Sequence, residues 1–166
     1  PRYNFGLNLD AAWKGFDLKV FFQGTLKRDA MCRNSVFYGP SQNKWQAMVF
    51  NEHMDYWRPE GDPLGENLDA YYPKADWNGG KNFQRSTHFL QNAAYCRLKN
   101  VTIGYTLPQE ITRKFYIENL RVFASGENLL TFTSFSKLSD PELVSADFGK
   151  TYPLSQTFSL GLSVTF

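Results

Sequence analysis

The chain has 166 residues and a formal net charge of +2, so it lacks the basic field that nucleic-acid binding requires. Aromatic residues make up 17% of it, including 15 Phe and 9 Tyr, although its mean hydropathy is only −0.45. It contains no run of the roughly 18 apolar residues that a membrane-spanning helix needs, and no signal segment at its start. The chain begins at Pro1 and reads as a strand from Tyr3 onward, and we therefore expect it to be cut from a longer protein.

Five segments alternate large apolar residues with small or polar ones, which is the pattern of a strand whose two faces meet different surroundings. In chain order, their apolar positions run over Tyr3–Ala11, Phe16–Phe22, Val101–Leu107, Leu120–Ala124 and Phe158–Phe166. The last is the most regular, because every second residue from Phe158 is apolar and the residues between are Ser, Gly or Thr. The fourth loses its phase near Asn128.

The connections between these predicted strands are unequal. A two-residue turn at Lys14–Gly15 joins the first pair, a loop of about 27–95 follows the second, a moderate turn follows Pro108, and a loop of about 133–152 precedes the last. Short turns at one end and long loops at the other are typical of outer-membrane barrels. Apolar and polar residues at helical spacing predict a short helix over Ser41–Trp57 within the first long loop, ending at Arg58–Pro59.

Alternation alone is compatible with two kinds of antiparallel protein. In a soluble sandwich the apolar face meets a core, whereas in a membrane barrel it meets lipid and the polar face lines the lumen. Small polar residues on the polar faces, rings at the ends of the apolar faces and an aromatic last residue favour the barrel. These rings are Tyr3, Trp13, Phe16, Tyr105 and Phe166. We therefore predict an all-β chain that forms part of a transmembrane antiparallel β-barrel.

Several segments resemble a known family in the same order. They are KGFDLKVFFQG at 14–24, YWRPE at 56–60, YCRLKNVTIGYTLP at 95–108, LRVFASGENLLTF at 120–132 and the ending from Tyr152 to Phe166. Together they are similar to the SusC/RagA family of TonB-linked outer-membrane transporters, although Cys96 stands where an apolar residue is expected. The resemblance covers nearly the whole chain.

The resemblance implies a barrel of about 22 strands filled by an N-terminal plug. Residues 1–166 would supply its last five strands, and the plug and earlier strands are not in this sequence. The protein would cross the outer membrane of a Gram-negative cell several times, with the loops of about 27–95 and 133–152 outside the cell. It would import large nutrients, either oligosaccharides or peptides, under a lid formed by a SusD-like surface lipoprotein. The TonB complex would act through the absent plug.

Three sets of residues are candidates for these roles. Rings of the long loop are candidates to contact a sugar, a peptide or the lid protein, with packing of the loop against itself as the alternative; they are Trp45, Tyr56, Trp57, Tyr71, Tyr72 and Trp77. Charged residues on the polar faces are candidates to face the lumen, where they would steer the substrate or, as we favour, pair with each other or with the plug; they are Asp17, Lys19, Arg121 and Glu127. Lipid contact is expected at Phe158, Leu160, Leu162, Val164 and Phe166, and the resemblance implies that Phe166 is also read by the barrel-assembly machinery.

The sequence offers no arrangement for catalysis. His53 and His88 are isolated, the acids between Lys44 and Trp77 show no regular calcium spacing, and the Ser41–Lys44 pair lacks the other motifs of serine–lysine hydrolases. Cys32 and Cys96 match neither a zinc spacing nor a dense disulfide framework. We therefore predict no enzyme activity, no cofactor and no metal. A soluble glycan-binding sandwich and a passive porin or barrel adhesin remain the alternative functions.

Overall fold

A computed structural model describes residues 1–32, 35–39, 49–74, 82, 84–144 and 152–166. The chain divides into two compact units. The sheet unit comprises Pro1–Arg28, Ala94–Ser134 and Leu154–Phe166, and the loop unit comprises Asp29–Ala93 and Phe135–Pro153. Among the described residues, no helix combines the length and the apolar character needed to cross a membrane.

The sheet unit contains five long strands. They are β1 (Asn4–Trp13), β2 (Phe16–Thr25), β5 (Tyr95–Thr106), β6 (Asn119–Thr133) and β7 (Thr157–Thr165). They form one antiparallel sheet in the order β1-β2-β5-β6-β7. These are the five segments that the alternation predicts, and β5 and β6 are longer than predicted because both extend beyond the regular part of the pattern. The all-β antiparallel prediction is confirmed.

An irregularity in the strand pairing interrupts the alternation near Asn128. The register shifts between Phe21 and Phe22 on β2 and between Leu98 and Asn100 on β5, so Lys99 is the extra residue. On β6 the pairing passes from Glu127 to Leu130 across the same point, and Asn128 adopts a positive φ of 54°. On β5 the single extra residue reverses the phase of the alternation, so that Arg97 shares a face with Asn100. On β6 two residues, Asn128 and Leu129, are passed over, so the phase is kept and Leu130 lies on the same face as Val122.

The segments that connect the long strands differ in length as the sequence predicts. Lys14 and Gly15 form the tight turn between β1 and β2, and both have positive φ. The link from β5 to β6 contains α2 (Gln109–Thr112), which continues as a 3-10 turn at Arg113–Phe115 and ends at the left-handed Tyr116. Because paired strands are antiparallel, these two short links lie at one end of the sheet and the two long connections leave from the other.

The loop unit has a small core of its own. Its regular elements are β3 (Asp29–Met31), α1 (Ser35–Tyr38), β4 (Leu90–Asn92) and 3-10 turns at Asn51–Met54 and Thr87–Phe89. β3 pairs with β4. The buried cluster consists of Ala30, Cys32, Phe37, Tyr38, Tyr72, Phe89, Ala93 and Phe135. Phe37 is fully buried in it and contacts the rings of Tyr38, Tyr71, Tyr72 and Phe89.

The helix predicted over Ser41–Trp57 is wrong in its second half. Residues 41–48 lie outside the described part of the chain, and after them only Asn51–Met54 forms a helical turn, of the 3-10 type. Beyond it Tyr56 forms a parallel bridge with Tyr72 instead of continuing a helix. Hydrogen bonds from Trp57 N–H to the Tyr72 carbonyl and from Tyr72 N–H to the Asp55 carbonyl stabilise this extended arrangement.

Candidate functional site

The register places the four charged candidates of the strands on one face of the sheet. Asp17 pairs with Gly104 and Lys19 with Thr102, while Glu127 pairs with Asn100 and Arg121 with Thr106. Residues directly opposite each other in an antiparallel pair share a face, and alternate residues along a strand share it too. We call this face the polar face. The prediction that it lines a lumen is tested by no contact within the chain.

Asp17 and Arg121 form an ion pair over the strand between them. Arg121 Nε donates to Asp17 Oδ2 at 2.8 Å and its Nη2 donates to Oδ1 at 2.5 Å. The two residues lie on β2 and β6, and Gly104 of β5 lies under the pair, where a Cβ atom would collide with both side chains. A glycine is therefore needed for the two charged groups to meet, and this is a paired-charge site of the kind predicted.

Two phenylalanine rings on the same face lie against glycines of neighbouring strands. The ring of Phe123 covers Gly161 on β7, and the ring of Phe21 lies against Gly6 on β1. Arg121 also stacks over Phe123, with its guanidinium carbon 4.9 Å from the ring centre. Large rings that cover neighbouring glycines stabilise a sheet without side chains that project from its surface.

Arg97 is a polar-face residue that the sequence reasoning missed. It is buried, its Nε donates to Thr131 Oγ1 at 2.8 Å, and its guanidinium lies over the Tyr95 ring. It lies beyond the bulge at Lys99, where the alternation changes phase, and so it was not assigned to a face.

The opposite face of the sheet is apolar and exposed. On β7, Phe158, Leu160 and Leu162 are 75%, 87% and 68% exposed, and Val164 and Phe166 are exposed as well. The neighbouring strands add Leu7, Leu9, Leu18, Ile103 and Val122, all exposed. The described residues therefore give this face no second packed sheet.

Rings gather on the apolar face at the end with the short links. Trp13 pairs with Phe16 in the register, and Phe16 pairs with Tyr105, whose ring centre is 4.5 Å from that of Phe16. The Lys14 ammonium lies 5.0 Å from the centre of the Trp13 ring. Amphipathic rings beside a cation, at the rim of an apolar band, are typical of a membrane interface.

The loop unit brings three of the six candidate rings to one open groove. The groove has a volume of about 320 Å³ and is lined by Trp57, Ala70, Tyr71, Tyr72, Pro73, Lys74, His88 and Phe89. Trp57 is exposed, whereas Tyr72 belongs to the buried core. Tyr56 packs against the core, and its ring lies under the Arg58 guanidinium. Trp45 and Trp77 lie outside the described residues.

Tyr71 and Tyr72 have mainly structural contacts. Tyr71 stacks on His88 and its hydroxyl accepts a hydrogen bond from Gln91 Nε2 at 3.1 Å. Burial raises the pKa of both phenols, and the Glu52 carboxylate adds to the rise at Tyr72. Both rings therefore remain neutral and support the groove, while Trp57, Lys74 and His88 supply its exposed contacts.

The two isolated histidines and several loop acids bind backbone groups. His53 is buried, and its Nδ1 accepts the Phe50 N–H at 3.0 Å, which leaves Nε2–H to donate to the Phe37 carbonyl at 3.0 Å. Glu52 accepts hydrogen bonds from Ser136 Oγ and Lys137 N–H. In the part of the chain that the structure describes, no three metal-ligating side chains come together. Cys32 and Cys96 are free thiols.

Glu52 and Gln91 connect the two predicted loops. Gln91 Oε1 accepts the Ser136 N–H at 3.0 Å, beside the two bonds that Ser136 and Lys137 make to Glu52. Residues of the 27–95 and 133–152 loops therefore form one folded unit, as their common end of the sheet allows. No pattern in the sequence indicates this contact, because Glu52 is 84 residues away from Ser136.

Comparison with known sequences gives relatives of one kind. No family model matches the chain. It is 27% identical to TonB-dependent receptor P3 and 28% identical to TonB-dependent receptor P26, both of Formosa agariphila, over its whole length. It is 34% identical over 52% of its length to the TonB-dependent receptor SusC of Bacteroides thetaiotaomicron. The chain spans only 16–17% of the length of the two Formosa relatives.

Comparison with solved structures gives the same result as comparison with sequences. The chain matches a chain of the RagAB peptide importer in its open-open state with a TM-score of 0.72 and 26% identity, over 98% of its own length and 17% of that chain. The closed-closed state gives a TM-score of 0.71 and 25% identity over the same shares. The resemblance read from the sequence is confirmed: over its full length the chain is similar to TonB-dependent receptors, and it is SusC/RagA-like in sequence and fold.

Proposed function

We propose that the chain forms part of the wall and outer loops of a TonB-dependent importer in the outer membrane of a Gram-negative cell. The sheet unit would cross the membrane with its apolar face in lipid and its polar face toward the lumen. The loop unit would lie outside the cell. Full-length similarity to TonB-dependent receptors supports this assignment, and the relatives carry the names of receptors and importers rather than of enzymes.

The observation that carries the proposal is the exposed apolar face. Leaving a side chain the size of Leu or Phe in water instead of burying it costs about 1.5–3 kcal/mol. β7 and the residue that follows it have five such positions on this face: Phe158, Leu160, Leu162, Val164 and Phe166. A water-soluble protein would not tolerate such a band unless it was covered, whereas hydrocarbon is its natural solvent.

The free edges of the sheet support a role within a larger barrel. β1 and β7 are its outermost strands, and within the described residues neither pairs with a further strand. In lipid each unpaired backbone group costs several kcal/mol, so both edges need partner strands. We propose that these come from the rest of the same protein, in a barrel of about 22 strands closed around a plug.

The cargo would be a large nutrient, either a peptide or an oligosaccharide. The RagAB relative is described as a peptide importer, which favours peptides. Oligosaccharides are the alternative cargo that the family resemblance implies. A SusD-like surface lipoprotein would close over the loop unit, and TonB would act on the plug. The barrel-assembly machinery would read the exposed Phe166 that follows β7.

The two alternative functions, a soluble glycan-binding sandwich and a passive barrel, each differ from the proposed importer in one observable property. A soluble glycan-binding sandwich needs a second layer over the apolar face, and the described residues supply none. A passive porin or adhesin barrel has the same wall but needs no energy for uptake.

The test is uptake of fluorescent peptides and oligosaccharides by cells that express the full-length protein and its neighbouring lipoprotein. An importer requires TonB, so uptake should stop when TonB is deleted or the proton-motive force is collapsed. Uptake that continues without TonB would identify a passive pore. Recovery of the folded protein from the periplasm or medium would favour the soluble module.

A further inference from the structure

A groove on the apolar face of the sheet lies at the end with the short links. It has a volume of about 210 Å³, and we call it the rim groove. The apolar side chains that border it come from β1, β2 and β5, and they include Ala11, Trp13, Phe16, Leu18 and Ile103. Asp17 borders it as well, but the Asp17 carboxylate binds Arg121 on the polar face. The rim groove therefore offers a ligand mainly apolar contacts.

The shape of the rim groove comes from unequal side chains. In the register Ala11 lies opposite Leu18, and Leu18 lies opposite Ile103, so one small residue ends a row of larger ones. Trp13 and Phe16 pair in the next row toward the turn, and their rings are 69% and 52% exposed. The small side chain at Ala11 thus leaves a depression beside two rings. A flexible hydrocarbon chain can fill such a depression and gain dispersion contacts along it.

Lys14 places a cation at the mouth of the rim groove. Its ammonium lies 5.0 Å from the centre of the Trp13 ring, and Trp13 belongs to the apolar face. A cation above an aromatic ring is held there by the charge distribution of the ring. The positive charge is therefore on the same side of the sheet as the apolar groove.

The backbone at Lys14 indicates that its side chain serves more than the turn. Lys14 and Gly15 both have positive φ, of 46° and 88°, as a two-residue type I′ hairpin turn requires. Asn, Asp and Gly are preferred at the first of these positions, because other side chains are strained in the left-handed region. The turn is also fixed to β5, because Thr106 N–H donates to the Gly15 carbonyl at 2.8 Å. A lysine at a strained and fixed position is better explained by a ligand than by turn formation.

We infer that the rim groove binds one glycerophospholipid, with an acyl chain along Ala11, Leu18 and Ile103 and the phosphate at the Lys14 ammonium. This inference rests on the proposed function, because it requires that the apolar face be in lipid. Charge complementarity selects the ligand, since a cation at the end of an apolar groove attracts an anionic head group more strongly than a zwitterionic one. The amphipathic ring of Trp13 suits the level of the head group, between the cation and the acyl chain.

Retention of lipid by the full-length transporter, purified in mild detergent, tests the head-group contact. The probes are phosphatidylglycerol and phosphatidylcholine with the same acyl chains, and native mass spectrometry counts the bound lipids. The unaltered protein should retain one phosphatidylglycerol in preference to phosphatidylcholine. Lys14→Asn should weaken phosphatidylglycerol binding about fivefold and remove the preference. Because Asn suits a type I′ turn, this variant removes the charge without disturbing the fold.

Ala11→Phe tests the acyl-chain contact. The new ring fills the depression, so retention of both lipids should fall by about tenfold as the acyl chain loses the apolar surface that it covered. Ala124→Phe is the matched control, because Ala124 is an exposed alanine on the same face, on β6 and outside the rim groove, and retention should be unchanged. Retention that neither Lys14→Asn nor Ala11→Phe lowers would overturn the inference.

A phosphatidylglycerol with a photoreactive acyl chain gives a second readout, in reconstituted bilayers and without detergent. Crosslinks should concentrate between Ala11 and Leu18 and should exceed those at the exposed positions of β7. Crosslinks spread evenly over the apolar face would show ordinary boundary lipid and would contradict a specific site. Crosslinks absent from the whole apolar face, β7 included, would contradict the proposed membrane wall as well.

Discussion

Arg121 and Asp17 meet in a two-point ion pair although a whole strand, β5, lies between them. Both Arg121 donors reach the carboxylate, at 2.8 and 2.5 Å, because Gly104 leaves the intervening position without a side chain. The pair thus links three strands of the sheet rather than two. It also gives each charge an oppositely charged partner within the sheet.

Gly104→Ala should therefore lower the thermal stability of the full-length barrel. The new methyl group would displace the Asp17 and Arg121 side chains, and overpacking of this kind costs about 1–3 kcal/mol. The measurement is the temperature at which the folded barrel loses its faster migration on SDS gels. Gly6→Ala on β1 is the control, because a Cβ there would meet only the Phe21 ring, at 3.3 Å.

The losses of stability caused by Gly104→Ala and by Asp17→Asn should not add. Once Asp17→Asn has weakened the pair, Gly104→Ala should cost much less than it does in the unaltered protein. Costs that simply add would mean that the glycine does not serve the ion pair.

Glu52→Ala should weaken the link between the two long loops. The substitution removes the acceptor of Ser136 Oγ and Lys137 N–H, and a hydrogen bond to a charged group contributes about 1.5–3 kcal/mol. Hydrogen exchange at Lys137 should become at least tenfold faster in the intact protein. Glu66→Ala, which removes an exposed acid elsewhere in the loop unit, is the control and should leave that amide unchanged.

His53→Leu should loosen the loop unit much more than His88→Leu. His53 is buried and bonds both Phe50 N–H and the Phe37 carbonyl, whereas His88 is exposed and bonds only the Tyr71 carbonyl. Each buried group left without a partner costs about 1–3 kcal/mol. Limited proteolysis of intact cells should cut the His53 variant in this loop first. Equal resistance of the two variants would contradict the buried role of His53.

The loop unit should lose stability at alkaline pH. Burial raises the pKa of the Cys32 thiol from 9.0 to about 12, so folding favours its neutral form. This contribution is fully present below about pH 9 and is lost as the pH rises toward 12. Tyr71 and Tyr72 act in the same direction at higher pH, because burial also raises the pKa of each.

Alkylation of Cys32 provides the measurement. At pH 8 iodoacetamide should react with it only as fast as the loop unit opens, and the rate should rise steeply above pH 9. Cys32→Ala should remove the part of the alkaline destabilisation that begins near pH 9. A Cys32 thiol that reacts at the rate of a free thiol at pH 8 would show that the loop core is open.

The sheet could be predicted from the sequence because each strand has two distinct surroundings, which impose alternation. The extra residue Lys99 changes the phase of the alternation on β5, so the sequence reasoning did not assign Arg97 to a face. It also missed the second half of β6, because Asn128 and Leu129 interrupt the pattern there. The ion pair was expected only as one possibility, because the role of Gly104 depends on the register of β2, β5 and β6 and not on spacing in the chain.

The loop unit was far less predictable. Its order comes from side chains that bind distant backbone groups, as Glu52 does at Lys137 and His53 does at Phe37, and such contacts leave no periodic signal. Apolar spacing near Trp57 suggested a helix, but the bridge from Tyr56 to Tyr72 extends the backbone instead. Among the loop rings, spacing alone gave no way to separate the buried Tyr72 from the exposed Trp57.

Quenching of tryptophan fluorescence by brominated lipids measures most directly which solvent meets each face of β7. Leu160→Trp and Ser159→Trp, placed in the full-length protein and reconstituted in bilayers, differ by one residue and by face. Bromine on the acyl chains should strongly quench the tryptophan at 160 and leave the one at 159 nearly unaffected. Equal quenching at both positions, or none at position 160, would contradict a lipid-facing apolar band.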